Sequence, residues 1–367
     1  MHKNSSKKKS SKLKVAVICI SLAKGGAEKS TAMLTKMLDD NGMDVHVVTI
    51  TDAIAYEYAG TLVNLGEYKS DNDGLLKRFS YLKNLKKYLK VHNIDVVIDN
   101  RTRSQCIKEW FYLYYVYSSV TIIYVVRSAF LLNYFPKCNW LVKKMIDRSY
   151  KIVAVSKSIA EDINLKYGKK KAVHIYNPVT SNIIEKEHIT EKYIIFLGRI
   201  DNHAKNFELL LDAYRESKLF EHNIVLKIYG NGPDEAWLKS KIEFFNLEAC
   251  VKLFNFEVDV TPILKSAHFL VLTSNYEGFP RVLIEALSCG TPVISVDCKS
   301  GPNEIIKHEH NGLLVENHNA EALTNAFNRF IFDSALYNSC KNNAQASVVQ
   351  FNQEIIAKQW QELLTQI

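Results

Sequence analysis

A chain of 367 residues with 47% hydrophobic content is long enough for two ordinary domains, each with its own core. Its seven cysteines form no C-x-x-C pair and no metal-ligand spacing, which excludes zinc modules and a disulfide scaffold; they read as small buried apolar residues in a reducing compartment. The net charge of +8 is unevenly placed: residues 1–180 hold 30 Lys+Arg against 15 Asp+Glu, and residues 181–367 hold 17 against 24, so only the first half suits an anionic surface or acceptor.

Residues 1–12 are basic and polar and lack the apolar core of a cleavable signal. They are expected to be a disordered tail. From there, short runs rich in Val and Ile alternate with helix-length stretches. Strands are predicted at Lys14–Ile20, Val45–Ile50, Asp95–Ile98, Thr121–Val126, Ile152–Val155 and Val173–Ile175. A second series follows at Tyr193–Leu197, Val225–Tyr229, Val251–Phe254, Phe269–Thr273, Val293–Val296 and Gly312–Val315. Such runs belong to βα units whose parallel sheets are buried on both faces. Two series imply an α/β chain of two doubly wound, Rossmann-like domains facing a cleft. The expected division is 13–180, 181–352, and a last segment 353–367 whose helix, near Gln353 to Leu364, crosses back to the first domain.

Several local features bear on chemistry. Lys24-Gly25-Gly26-Ala27-Glu28 follows the first strand and opens a helix. Gly25 and Gly26 let backbone amides approach a ligand, but the G-x-G-x-x-G spacing of a dinucleotide site is missing. Leu75 to Val91 has apolar residues at helical spacing and a basic opposite face, which suits either ordinary packing or anionic lipid. The run at 110–126 is close to membrane-span length, but Ser118-Ser119 interrupts it, and a helix followed by a buried strand fits better. Asp71-Asn72-Asp73 and His308-Glu309-His310 read as loops rather than metal sites. There is no H-E-x-x-H, no G-x-S-x-G and no Walker loop.

In the second half, Gly198-Arg199 ends a predicted strand, and Lys205 follows near the start of a helix read over Asn206 to Tyr214. Placed at the cleft edge of a sheet, Arg199 offers a fork and Lys205 a point charge to a diphosphate. Gly230 and Asn231, after the next strand, form a turn that lets backbone approach a nucleoside. The richest segment is SNYEGFPRVLIEALSCGTPVIS, from residue 274. It reads as a turn, a helix and a strand, with Glu277 before the helix and Glu285 inside it. Glu285 is placed to accept two ribose hydroxyls, and Glu277 to accept from a sugar. The amides of Gly278 and Phe279, with the first helical turn (Pro280, Arg281, Val282), are positioned for the same ligand.

Taken together, GGAEKS, YNPV, LGRI with Lys205-Asn206, YGNGPDE, the 274–295 segment, DCKSGPNEII and NGLLV resemble the retaining GT-B glycosyltransferases that carry the E-x7-E motif (family 4 type). The resemblance runs over nearly the whole chain after residue 12. It implies a metal-independent transferase without a cofactor, moving a hexose or N-acetylhexosamine from a nucleotide sugar, by default UDP-linked. The acceptor would be a glycan or a polyprenyl-diphosphate-linked glycan, in polysaccharide or lipopolysaccharide biosynthesis. It implies a cytoplasmic enzyme, peripheral at the inner membrane face through its basic half, with no nucleic acid partner. Arg199 and Lys205 would neutralise the donor diphosphate, Glu285 hold the ribose and Glu277 the sugar. Family members usually place a histidine on the first domain beside the reacting sugar; Val126-Arg127-Ser128 stands there instead, so Arg127 takes that position. The alternatives are a GT-B-like epimerase acting on the same donor and a catalytically silent glycan-binding subunit.

Overall fold

Val- and Ile-rich runs too short to be helices become the strands of two fully parallel sheets. The computed structural model describes residues 12–23, 25–67, 69, 74–180 and 192–367. Most of the basic tail, Lys24, the Asp71-Asn72-Asp73 turn and residues 181–191 at the domain boundary lie outside them.

The first sheet contains β1 (Lys14–Cys19), β2 (Asp44–Thr49), β3 (Thr61–Asn64), β4 (Val96–Asp99), β5 (Thr121–Val126), β6 (Lys151–Ala154) and β7 (Ala172–His174), in the order β3-β2-β1-β4-β5-β6-β7. The second contains β8 (Tyr193–Leu197), β9 (Val225–Tyr229), β10 (Val251–Phe254), β11 (Phe269–Leu272), β12 (Val293–Val296) and β13 (Gly312–Val315), in the order β10-β9-β8-β11-β12-β13. The chain direction across each sheet reverses beside its first strand: Val15 pairs with Val45 on one side and Val96 on the other. That reversal opens a crevice at the carboxyl ends of the strands, and the two crevices face each other. Twelve strands fall where the apolar runs predict them. The additional one, β3, is a half-buried edge strand of sequence TLVN, too short and too polar to announce itself.

The Gln353–Leu364 helix packs on the first sheet, not the second. Its Ile356, Trp360, Leu363 and Leu364 are buried with Val15, Val17, Val45 and Val47. The 110–126 run becomes the end of a Cys106–Phe111 helix, a π-helical turn at Tyr112–Val116, and β5. Among the described residues no helix is long and apolar enough to cross a membrane.

Two features lie behind β4 and β5 that no local pattern signals. One is a buried ionic cluster. Arg101 donates to Asp99 at 2.8 Å and to Glu109 at 3.0 Å, and its guanidinium lies 3.5 Å from the centre of the Tyr112 ring. Arg103 donates to the carbonyls of Asp99, Arg101, Val125 and Tyr134, tying the ends of β4 and β5 to the following loop. Burial raises the Glu109 pKa; for Asp99 burial acts the same way, but Arg101 and Arg103 outweigh it and hold the carboxyl below its ordinary range. Replacing Arg101 by Met would leave buried Glu109 without its cation and would take from Asp99 the closer of its two. The expected cost is about 3–5 kcal/mol, read from urea unfolding; a loss below about 1 kcal/mol would mean that the cluster is not the anchor of this loop.

The other feature corrects the reading of the cysteines. Cys106 and Cys138 form a disulfide, with Cα atoms 6.1 Å apart. It joins the start of the Cys106–Phe111 helix to the residue that precedes the Asn139–Arg148 helix. The two are separated by 32 positions in no recognisable motif, so only the packing of those helices brings them together. The other five cysteines are free.

Candidate active site between the two domains

The facing strand ends enclose a cavity of about 610 Å³, well within the range of small-molecule sites. Its wall includes Gly25, Gly26 and Arg127 from the first domain, and Arg199, Lys205, Asn231, Glu277, Gly278, Phe279, Pro280, Arg281, Val282 and Glu285 from the second. Gly230 is not on the wall. It lies behind it, where a Cβ would overlap the Gly198 carbonyl, and so lets the β8 and β9 turns approach.

Lys205 ends a short helix, Asn202–Lys205, that stands just before the expected one. Asp201 caps that turn by accepting from the Ala204 amide at 3.2 Å. Asn206 then adopts left-handed backbone, φ 52°, and its side chain caps a new helix, Phe207–Ser217. Asparagine tolerates this conformation better than most residues. The helix expected from Asn206 is present as Phe207–Ser217; the short turn before it is additional, and it ends with Lys205 on the cavity wall. Its Nζ lies 2.5 Å from Glu277 Oε1, which also accepts from Ser274 Oγ at 2.7 Å. Arg199 remains exposed, and its side chain makes no ion pair or hydrogen bond with the described residues. It is the available cation of the site.

Glu285 sits on the Arg281–Ser288 helix. Its Oε1 accepts from Lys29 Nζ at 2.9 Å and from Arg281 Nη2 at 3.0 Å, while Oε2 has no hydrogen-bond partner among the described residues. Burial raises its pKa, but Arg281 and Lys29 prevail and hold the carboxyl below the usual range. It is therefore an ionised acceptor with one oxygen to spare. Lys29 is part of the GGAEKS segment but was not singled out by sequence reasoning, because its partner lies 256 positions away.

Arg127, at the end of β5, is clasped by Asn100 Oδ1, at 3.0 Å from Nε and 2.8 Å from Nη2, and by Asn177 Oδ1 at 2.7 Å from Nη1. Burial pushes its pKa down to about 10, which still leaves it charged at neutral pH. The sequence assigned neither asparagine a role: Asn100 stands in no motif, and Asn177 belongs to YNPV, whose spacing does not reveal Arg127 as its partner.

The domains touch closely around this site. A Cβ on Gly278 would overlap the Arg127 carbonyl oxygen. Ala129 N donates to Glu277 O at 3.0 Å, Ser300 Oγ bridges Ser156 and Gly278 O, and Glu304 accepts from the Lys157 and Ser158 amides. Among the described residues no group of three His, Cys, Asp or Glu side chains is placed to hold a metal ion. His308 accepts from the Leu314 amide and Glu309 pairs with Arg329, which places both in ordinary loop contacts.

The arrangement offers cations for a diphosphate, a helix mouth for its oxygens and carboxylates for hydroxyls. Known proteins match both halves of the chain. The model for Glycosyltransferase Family 4 matches residues 24–182, and that for Glycosyl transferases group 1 matches residues 180–347. The chain is 27% identical, over 94% of its length and 97% of the relative, to the N-acetylgalactosamine-N,N'-diacetylbacillosaminyl-diphospho-undecaprenol 4-alpha-N-acetylgalactosaminyltransferase of Campylobacter jejuni. It is 32% identical to the amylovoran biosynthesis glycosyltransferase AmsD of Erwinia amylovora, over 47% of each chain. In fold it matches Anabaena Alr3699/HepE solved with UDP and glucose, with TM-score 0.80 and 19% identity, over 97% of this chain and 100% of that one. It also matches Staphylococcus aureus TarM solved with UDP, with TM-score 0.79 and 15% identity, over 96% and 99%. The chain belongs to the GT-B glycosyltransferases, with a family 4 glycosyltransferase domain in its first half and a group 1 glycosyl transferase domain in its second.

Proposed function

We propose that this glycosyltransferase is retaining and moves a hexose or N-acetylhexosamine from a UDP-sugar to a glycan or polyprenyl-diphosphate-linked glycan in cell-surface polysaccharide biosynthesis. The observation that carries this reading is the division of the cavity. Its wall carries two separate bonded sets, Lys205 with Glu277 and Glu285 with Lys29 and Arg281, together with Arg199, which is unpaired among the described residues. A nucleotide sugar has matching parts: a diphosphate for the cations, a ribose for Glu285, a sugar for Glu277. The Campylobacter relative, named for transfer to an undecaprenol-linked acceptor, and neighbours solved with UDP support the acceptor and donor classes.

Chemically, the sugar C1–O bond to the diphosphate breaks as the acceptor oxygen attacks the same face. The acceptor proton passes to the departing phosphate oxygen, yielding UDP and the new glycoside. Arg199 and Lys205 stabilise the charge growing on that phosphate, so neither metal nor cofactor is required. Arg127 occupies the family's histidine position beside the sugar. The enzyme would work at the inner membrane face, its exposed Phe79, Trp110, Tyr114 and Trp140 and its basic first half suiting an anionic bilayer.

The test is a screen of UDP-, GDP- and ADP-sugars for hydrolysis and for a rise in melting temperature. A UDP-sugar should score, the effect should vanish in Arg199→Ala, and EDTA should change little. Absolute dependence on a divalent ion would overturn the assigned role of the two cations.

A further inference from the structure

Arg281 does more than extend the first turn of its helix. It is 7% exposed, a low figure for so long a cation beside a cavity. Its guanidinium reaches out of the second domain into the first. Nη1 donates to Ser30 Oγ and to the Pro178 carbonyl, both at 3.0 Å, and Nη2 lies 3.3 Å from Met33 Sδ. The same Nη2 donates to Glu285 Oε1, one turn further along its own helix. Gly26 lies directly over this side chain; a Cβ there would stand 3.5 Å from Arg281 Cδ.

An ordinary i,i+4 ion pair on a helix surface has no such anchors and contributes little. Here the pair is half of a relay. The first domain fixes the guanidinium, and the guanidinium fixes the carboxylate. Lys29, also from the first domain, takes the same oxygen, Oε1. The outcome is that one carboxylate oxygen is consumed by protein donors and Oε2 is left for a ligand. Without the first domain in place, neither donor would hold Glu285 in that orientation. Lysine could not replace arginine here, because a point charge cannot donate in two directions from a planar fork.

We infer that Arg281 is a positioning residue for ribose recognition: braced across the domain seam by Ser30 and Pro178, it orients Glu285 so that its free oxygen meets the ribose hydroxyls only when the domains are closed. This rests on the nucleotide-sugar reading above. The role inferred for Arg281 is to orient Glu285, not to touch the reacting atoms.

The experiment uses the full chain and two probes, UDP and 2′,3′-dideoxy-UDP, whose affinities are measured by titration calorimetry. The wild type should prefer UDP by about tenfold or more, the scale of hydrogen bonds to a charged group. Arg281→Met should lose most of that preference while binding dideoxy-UDP nearly as the wild type does. Arg281→Lys should be intermediate. Combining Arg281→Met with Glu285→Gln should remove no more preference than Glu285→Gln alone, since both act on one contact. Ser30→Ala, which loosens one brace and leaves the cavity wall intact, should show a smaller loss of the same kind. If Arg281→Met weakens both probes equally, or keeps the full preference, Arg281 is a structural cross-brace and the inference is wrong. If the wild type binds neither probe, the nucleotide-sugar reading falls and takes this one with it.

Discussion

Gly278→Ala is expected to open the cleft and reduce kcat/KM by about a hundredfold or more, the scale at which an ångström of misplacement is felt in catalysis. The new Cβ would overlap the Arg127 carbonyl oxygen, a backbone atom at the end of β5 that cannot rotate away. Ser300 Oγ holds the Gly278 carbonyl from the other side at 2.8 Å, so the turn has no room to retreat. Overpacking inside one core is usually absorbed at about 1–3 kcal/mol. Here the overlap lies on the seam, and the easiest relief is for the domains to part. Glu277 O, which accepts from Ala129, and the braces of Arg281 lie beside it and would be pulled out of register. Small-angle scattering should report a larger radius of gyration, alongside an unchanged urea midpoint for each domain. Wild-type scattering with wild-type turnover would show that the seam yields without consequence.

Lys205→Ala is expected to lower kcat by about 10²–10³, the cost of removing one preorganised donor from a developing charge. Two effects combine. The departing diphosphate loses a fixed cation, and Glu277 loses the partner that holds it at 2.5 Å, leaving, among the described residues, Ser274. Arginine at the same position should restore part of the rate, because the charge returns while the geometry does not. The decisive comparison is kcat at saturating donor against KM. Should only the donor KM rise, Lys205 is a binding group and the charge growing on the phosphate is met elsewhere, with Arg199 the first place to look.

Much of this protein is local, and the local part was legible. The strand-ending Gly198-Arg199, the Gly-Phe-Pro turn and the helix carrying Glu285 each lie within a few dozen residues. Propensity, glycine placement and period therefore located them, and with them the parallel sheets and the cleft edge. The Asn202–Lys205 turn escaped because four residues, capped by Asp201 and ended by a left-handed Asn206, are too few to show a helical period. Strand β3 escaped because an edge strand need not be apolar.

What lay beyond reach is of another kind. The sequence by itself determined which groups the site would contain: the two glutamates, the two cations and the glycines that let backbone come close. Only the tertiary structure decided how each is held. Lys29 meets Glu285 across 256 positions, Arg281 is braced by Ser30 across 251, Arg127 is clasped by Asn100 and Asn177, and Cys106 meets Cys138. None of these pairings has a period or a spacing, because chain separation carries no information about contact once the elements have packed, whether within the first domain, as for Arg127 and Cys106, or across the cleft, as for Lys29 and Arg281. Side-chain type is written along the chain; the partner that orients it is set by how the elements pack and how the domains meet.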